Sequence, residues 1–190
     1  MALDLQYTIE LDHSVWIPVP LQFPWNDHAD AAAWAAELSH DLLHGMGAPD
    51  EVRDALERSA VAMAAVDPPL PGPLERFWHL PAQGGPERLV HLYVTETEAT
   101  TAEQLVFLAR AGLGGLVQNV VVLEDTPFDV AMRVLVLAPL GDRDIAVVRV
   151  LGLAAGFVFV VELIEEDPVA LEIMEPVVES LFRAIRLRGA

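Results

Sequence analysis

The sequence predicts an α+β fold: an antiparallel β-sheet, made of a hairpin and a four-strand meander, flanked by helices. Three observations predict it. Four apolar stretches of strand length follow one another at Val117–Glu124, Phe128–Ala138, Asp144–Leu153 and Phe157–Ile164. Short turns separate them, at Asp125-Thr126-Pro127, from Pro139 to Arg143, and at Ala154-Ala155-Gly156. A parallel pair needs a crossover of roughly a dozen residues or more, so these connections demand antiparallel neighbours. A helical pattern closes the block, with Asp167 as cap and Pro168 at its first turn. Its stripe of Val169, Ile173, Val177, Leu181 and Ile185 is expected to face inward.

The elements before the meander follow in order. Leu3, Leu5, Tyr7, Ile9 and Leu11 alternate with polar residues, the period of a strand with one wet face. From Trp16 to Trp25, Pro18, Pro20 and Pro24 exclude a central strand and a helix interior. That segment should run extended and pin Trp16, Phe23 and Trp25 into the core, where Trp34 joins them. A helix is predicted from Asp30 to Met46, with Trp34, Leu38 and Leu42 as its stripe and Gly45 and Gly47 as its stop. A second runs from about Pro49 to Val66, with Val52, Leu56, Ala60 and Met63 on one face and Asp54 set to pair with Arg58.

Asp67-Pro68-Pro69-Leu70-Pro71-Gly72-Pro73 is the strongest break, a stiff connection too short to tether separate domains. A hairpin of Glu75–Leu80 and Arg88–Thr97 comes next. Thr100 and Thr101 stand before Glu103 and Gln104 with capping-box spacing, which opens a helix from about Ala102 to Ala111. The organisation is one domain, 1–190, with an N-terminal section (1–66) and a main sheet section (75–190). Phe157, Phe159, Val161 and Leu163 share one face of the last strand, while Val158, Val160 and Ile164 share the other with Glu162. A strand apolar on both faces must be covered on both, by helices or by a second copy.

Composition excludes several functions. The 190 residues carry a formal charge of −18, with a mean hydropathy of +0.37. All 11 basic residues are Arg, a trace of high-GC coding. Such acidity opposes binding to a phosphate backbone and to anionic membranes, so neither nucleic acid nor membrane is an expected partner. No cysteine is present, which removes disulfides, zinc ribbons and thiol catalysis. The start of the chain lacks the pattern of a secretory signal, and a cytoplasmic location is expected.

From Glu75 to Arg188 the order of hairpin, helix, meander and closing helix, ending Leu181-Phe182-Arg183-Ala184-Ile185-Arg186, resembles the Mog1/PsbP-like α+β fold, which includes actinobacterial lipoprotein relatives. The resemblance implies a binding or assembly role more than catalysis. It covers a little over half of the chain and carries over no site residues. Here a long N-terminal section with two helices is added, and no lipoprotein cysteine is present.

Three patterns are candidate sites. His40 and His44, at i,i+4 in His40-Asp41-Leu42-Leu43-His44, lie on one helical face and can share a metal ion. The pattern differs from the zincin motif by Asp in place of Glu, and no third ligand is evident. A solvated helix face is the plainer reading. Arg133 and Arg149 stand opposite each other if the hairpin turns about Gly141, and they then need a negative partner. Glu162 on the next strand supplies one; a bound carboxylate or phosphate is the other option. A turn near Gly84-Gly85 brings His79 towards His91, beside Trp78 and Tyr93. Gly112-Leu113-Gly114-Gly115 precedes a strand, so it is neither a P-loop nor a dinucleotide fingerprint, and no cofactor is expected. The expected function is a non-enzymatic binding or assembly module that meets a protein partner or forms a homodimer. The alternative is a small-molecule or anion-binding protein or enzyme built on Arg133 and Arg149, or on a metal at His40 and His44.

Overall fold

A computed structural model describes residues 6–82, 84–141 and 143–188. The elements are β1 (Gln6–Ile9), β2 (Trp16–Pro18), α1 (Ala31–Leu43), α2 (Asp50–Ala65), β3 (Glu75–His79), β4 (Arg88–Glu96), α3 (Ala102–Ala109), β5 (Leu116–Val122), β6 (Val130–Leu140), β7 (Arg143–Ala154), β8 (Phe157–Glu165), α4 (Pro168–Arg183) and β9 (Ile185–Arg188). Seven strands form one open antiparallel sheet in the order β2-β3-β4-β8-β7-β6-β5. β1 and β9 pair separately. The fold is α+β, as the hairpin-and-meander pattern requires.

Local chemistry explains the boundaries. Thr101 and Gln104 close the capping box of α3. Asp30 caps α1 and Asp167 caps α4 by accepting from backbone N–H groups. Ala155 and Gly156 both take positive φ, which gives the β7–β8 hairpin its two-residue turn. Gly152 lets the stacked rings of Phe128 and Phe182 lie on β7; a Cβ there would meet Phe128 at 2.4 Å.

Three clusters form the core. On one face of the sheet, Phe77, Val90, Phe159 and Val161 pack under Met174, Val178 and Phe182 of α4, together with Tyr7, Ile9 and Leu187 of the small ribbon. The other face is shared. Leu105 and Ala109 of α3 cover Val134, Val147 and Leu151, while Trp34 and Ala60 of the α1–α2 pair cover Ile17 and Trp78.

Several expectations change. The predicted first strand is described only from Gln6, so Leu3 and Leu5 lie outside the described residues. β6 runs through Pro139 to Leu140, where a turn was expected. The inward stripe of α4 is Ala170, Met174, Val178, Leu181 and Phe182; Val169 and Ile173 are exposed. Val52 of α2 is also exposed, and Arg53 rather than Arg58 makes that helix's ion pair, with Asp50. Ile185 is buried, but as the start of β9, a strand the periodicity did not suggest. The Trp16–Pro18 segment is an edge strand, with Trp16 buried and Phe23 and Trp25 half-buried. Both faces of β8 are covered by helices of the same chain, so its two-sided apolar pattern needs no second copy.

Candidate functional site

A row of polar side chains crosses the sheet on the face beneath α1–α2 and α3. The register pairs Arg76 of β3 with His91 of β4, His91 with Glu162 of β8, and Glu162 with Arg149 of β7. Directly paired residues share a face, so all four project to the same side. All are almost fully buried: Arg76 3% exposed, His91 4%, Glu162 0% and Arg149 2%. Charged groups at this depth are costly unless paired and hydrogen-bonded.

The two arginines meet that cost differently. Arg149 donates from Nε to Glu162 Oε2 at 2.6 Å and from Nη1 to the carbonyls of Ala109 and Ala111, each at 2.8 Å. Among the described residues Arg76 has no carboxylate partner. It donates to the carbonyls of Val66 at 2.7 Å, Ala64 at 3.1 Å and Pro20. Ala64 is in the last turn of α2 and Val66 is its cap; Ala109 is the last residue of α3 and Ala111 follows its cap. The last carbonyls of a helix lack intrahelical donors and form the negative end of its dipole. Each buried guanidinium therefore ties the carbonyl end of one covering helix to the sheet.

Burial and charge also set the protonation of the row. Burial, then the charge of Arg76, pulls His91 down to about 4, so it is neutral near pH 7. Burial pushes Glu162 above the usual carboxylate range, although Arg149 opposes the shift by its charge and hydrogen bond. Burial, helped by the Glu162 charge, pushes Tyr93 up to about 12. Four polar atoms of the row keep no hydrogen bond: Arg76 Nε, His91 Nε2, Glu162 Oε1 and Arg149 Nη2. Arg149 Nη2 lies 2.6 Å from Glu162 Oε2, off the direction a hydrogen bond needs.

The structure joins Arg149 to Glu162, keeps His40 beside His44, and separates Arg133 from Arg149 and His79 from His91. Leu140 pairs with Arg143, so the β6–β7 loop is two residues and Arg133 stands opposite Val150. That is one residue from the predicted register, enough to move Arg133 to the α4 face. There it pairs with Glu175 and Glu179, so Arg133 and Arg149 form no common anion site. In the β3–β4 hairpin His79 faces Arg88, and His91 faces Arg76. The shift from the expected register is odd, so His79 and His91 also lie on opposite faces. His79 packs against Trp16 and bonds the carbonyl of Pro86, and His91 lies beside Tyr93. His40 and His44 keep their shared helical face, with ring centroids 5.6 Å apart, and both are exposed. Among the described residues no group of three or more His, Asp or Glu side chains is placed to hold a metal ion.

Arg76 was missed by sequence reasoning. Its signal was present: an arginine alternating with Trp78, next to Phe77, in a short aromatic-rich strand. Compared with protein families and with curated proteins, the chain matches none of either.

The row holds one carboxylate and one histidine. Its one carboxylate is held by Arg149, and its histidine is neutral and has no hydrogen-bonded nucleophile. What the arrangement does chemically is fasten two helices to a sheet.

Proposed function

We propose that the chain is a binding and assembly module that pairs with a second copy of itself along β5. The observation that carries this reading is the contrast between the two sheet edges. β2 is short and contains Pro18, with Pro20 just beyond it, and such features block further pairing. β5 is Leu-Val-Gln-Asn-Val-Val-Val, without charge or proline, and Leu116, Val120 and Val122 are exposed. A register irregularity between Val117 and Asn119 interrupts its first half, leaving Asn119–Val122 in regular pairing with β6.

Charge favours a second copy as the occupant. The net charge of −18 makes two copies repel over most of their surface. Between Glu103 and Glu124 the single charged residue is Arg110, so this is where two acidic chains can meet without like-charge contact. Antiparallel pairing of one β5 with another generates a closed two-fold dimer with a continuous sheet. The resemblance to Mog1/PsbP-like proteins, with their binding and assembly roles, points the same way.

Native mass spectrometry and light scattering test the reading. A dimer is expected, and Val122→Lys is expected to convert it to a monomer that keeps its folded circular-dichroism spectrum and melts independently of protein concentration. A wild-type monomer at tens of micromolar overturns self-pairing. Among the described residues no helix is long and apolar enough to cross a membrane, so this test needs no detergent on that account.

A further inference from the structure

A cleft opens on the same face as the polar row, between the Pro-rich connection and the end of α3. Leu70 and Pro71 form one wall, Leu108 and Gly112 the other, and Val158 and Val160 the floor. Tyr93, Thr95 and Arg149 are the polar side chains that line it. Its volume is about 360 Å³, at the small end of the range of roughly 300–1,000 Å³ for ligand sites. Gly112, at φ +79°, lets the two walls approach closely: a Cβ there would come within 3.1 Å of Leu70 Cδ2.

We infer that this cleft binds a small apolar molecule with one neutral hydrogen-bonding head, such as a primary amide or an alcohol, received by Arg149 and Tyr93. The walls and floor specify the apolar body. The head follows from what the two polar groups have left. Arg149 lines the cleft and its Nη2 makes no hydrogen bond; that nitrogen is buried 2.6 Å from Glu162 Oε2, so it donates to the head once the guanidinium turns toward the cleft. Its positive charge is already matched by Glu162 at 2.6 Å. An ionised head would place a second negative charge beside that carboxylate in a desolvated site, whereas a carbonyl or hydroxyl oxygen accepts from Nη2 without adding charge. Tyr93 makes only long contacts, 3.4 Å each, with the backbone N–H and carbonyl of Leu70, and its hydroxyl can turn to the head at little cost. The site is independent of β5 and of any dimer formed there.

Hexanamide and hexanoate, matched in length, are the probes, and valine and leucine methyl resonances of the intact protein are the readout. Hexanamide is expected to shift the Val158, Val160 and Leu70 methyls saturably in the millimolar range. Hexanoate should bind at least tenfold more weakly at pH 7. Leu108→Trp, at a half-buried position on α3, fills the cleft and should abolish the shifts while the dispersed spectrum persists. Tyr93→Phe should weaken hexanamide about threefold and leave the fold intact. Saturable binding of hexanoate equal to or tighter than hexanamide overturns the inference, as does hexanamide binding unchanged by Leu108→Trp. No saturable shift by hexanamide overturns it too.

Discussion

Arg149 and Arg76 sit at opposite ends of one buried row, at equal depth, and are neutralised by different means. Arg149 has a carboxylate and the end of α3. Among the described residues Arg76 has only carbonyls, two of them from the end of α2. A helix terminus can thus stand in for a counter-ion inside a protein, because its unbonded carbonyls are oriented before the charge arrives. The carboxylate adds something the carbonyls do not: a second group whose own burial must then be justified. Glu162 exists at 0% exposure only because Arg149 is beside it.

The largest effect should come from breaking the carboxylate-matched end. Glu162→Ala leaves a buried guanidinium without its counter-charge and is expected to lower stability by about 3–5 kcal/mol. Urea denaturation reads this, and Arg149→Met with Glu162→Leu in the same chain should cost less than Glu162→Ala alone. A double variant as damaged as the single one would mean that the carbonyl contacts of Arg149, not its ion pair, dominate.

Next is the pH response of the row. His91 is pulled down from 6.5 to about 4, so the unfolded chain takes up a proton first as pH falls. Stability should therefore drop by about 3 kcal/mol between pH 6.5 and 4 on account of this residue. His91→Leu should flatten that limb of the stability profile. Glu162, raised rather than lowered, acts in the opposite sense and loses stability as pH climbs above the carboxylate range.

The carbonyl-matched end should be milder. Arg76→Met removes the charge with its hydrogen bonds and leaves carbonyls to find water, for about 2 kcal/mol. A loss equal to that of Glu162→Ala would erase the distinction between the two ends. The smallest effect belongs to Arg53→Ala, whose pair with Asp50 is exposed; a change below about 0.5 kcal/mol sets the baseline for ion pairs outside the row.

The sequence made the meander legible because its turns are short and chemically marked: Gly156 after Ala155, Pro127 after Asp125. The capping box at Thr101 likewise located α3. Arg149 and Glu162 were also legible as a pair, since strands joined by a tight hairpin must be neighbours. Register was not. Whether 141 alone or 141 and 142 form the loop changes the face of Arg133, and composition does not distinguish them. Nor did any local pattern join β4 to β8, a contact decided by packing between distant segments. The α4 stripe was displaced by one position because Val169 and Ala170 fit the helical period equally well, and the small residue proved to be the one facing the sheet.

That join of β4 to β8 also sets an order of assembly. β4 lies inside the sheet, yet its second partner, β8, is made only after α3, β5, β6 and β7. While the chain is being synthesised, β2, β3 and β4 wait as a three-strand fragment with an open edge, and β1 waits longer still for β9. Long-range pairing is slow because the intervening loop must close before any contact rewards it. A chain interrupted anywhere between β4 and β8 thus leaves the facing edges of β4 and β8 unpaired in the two pieces.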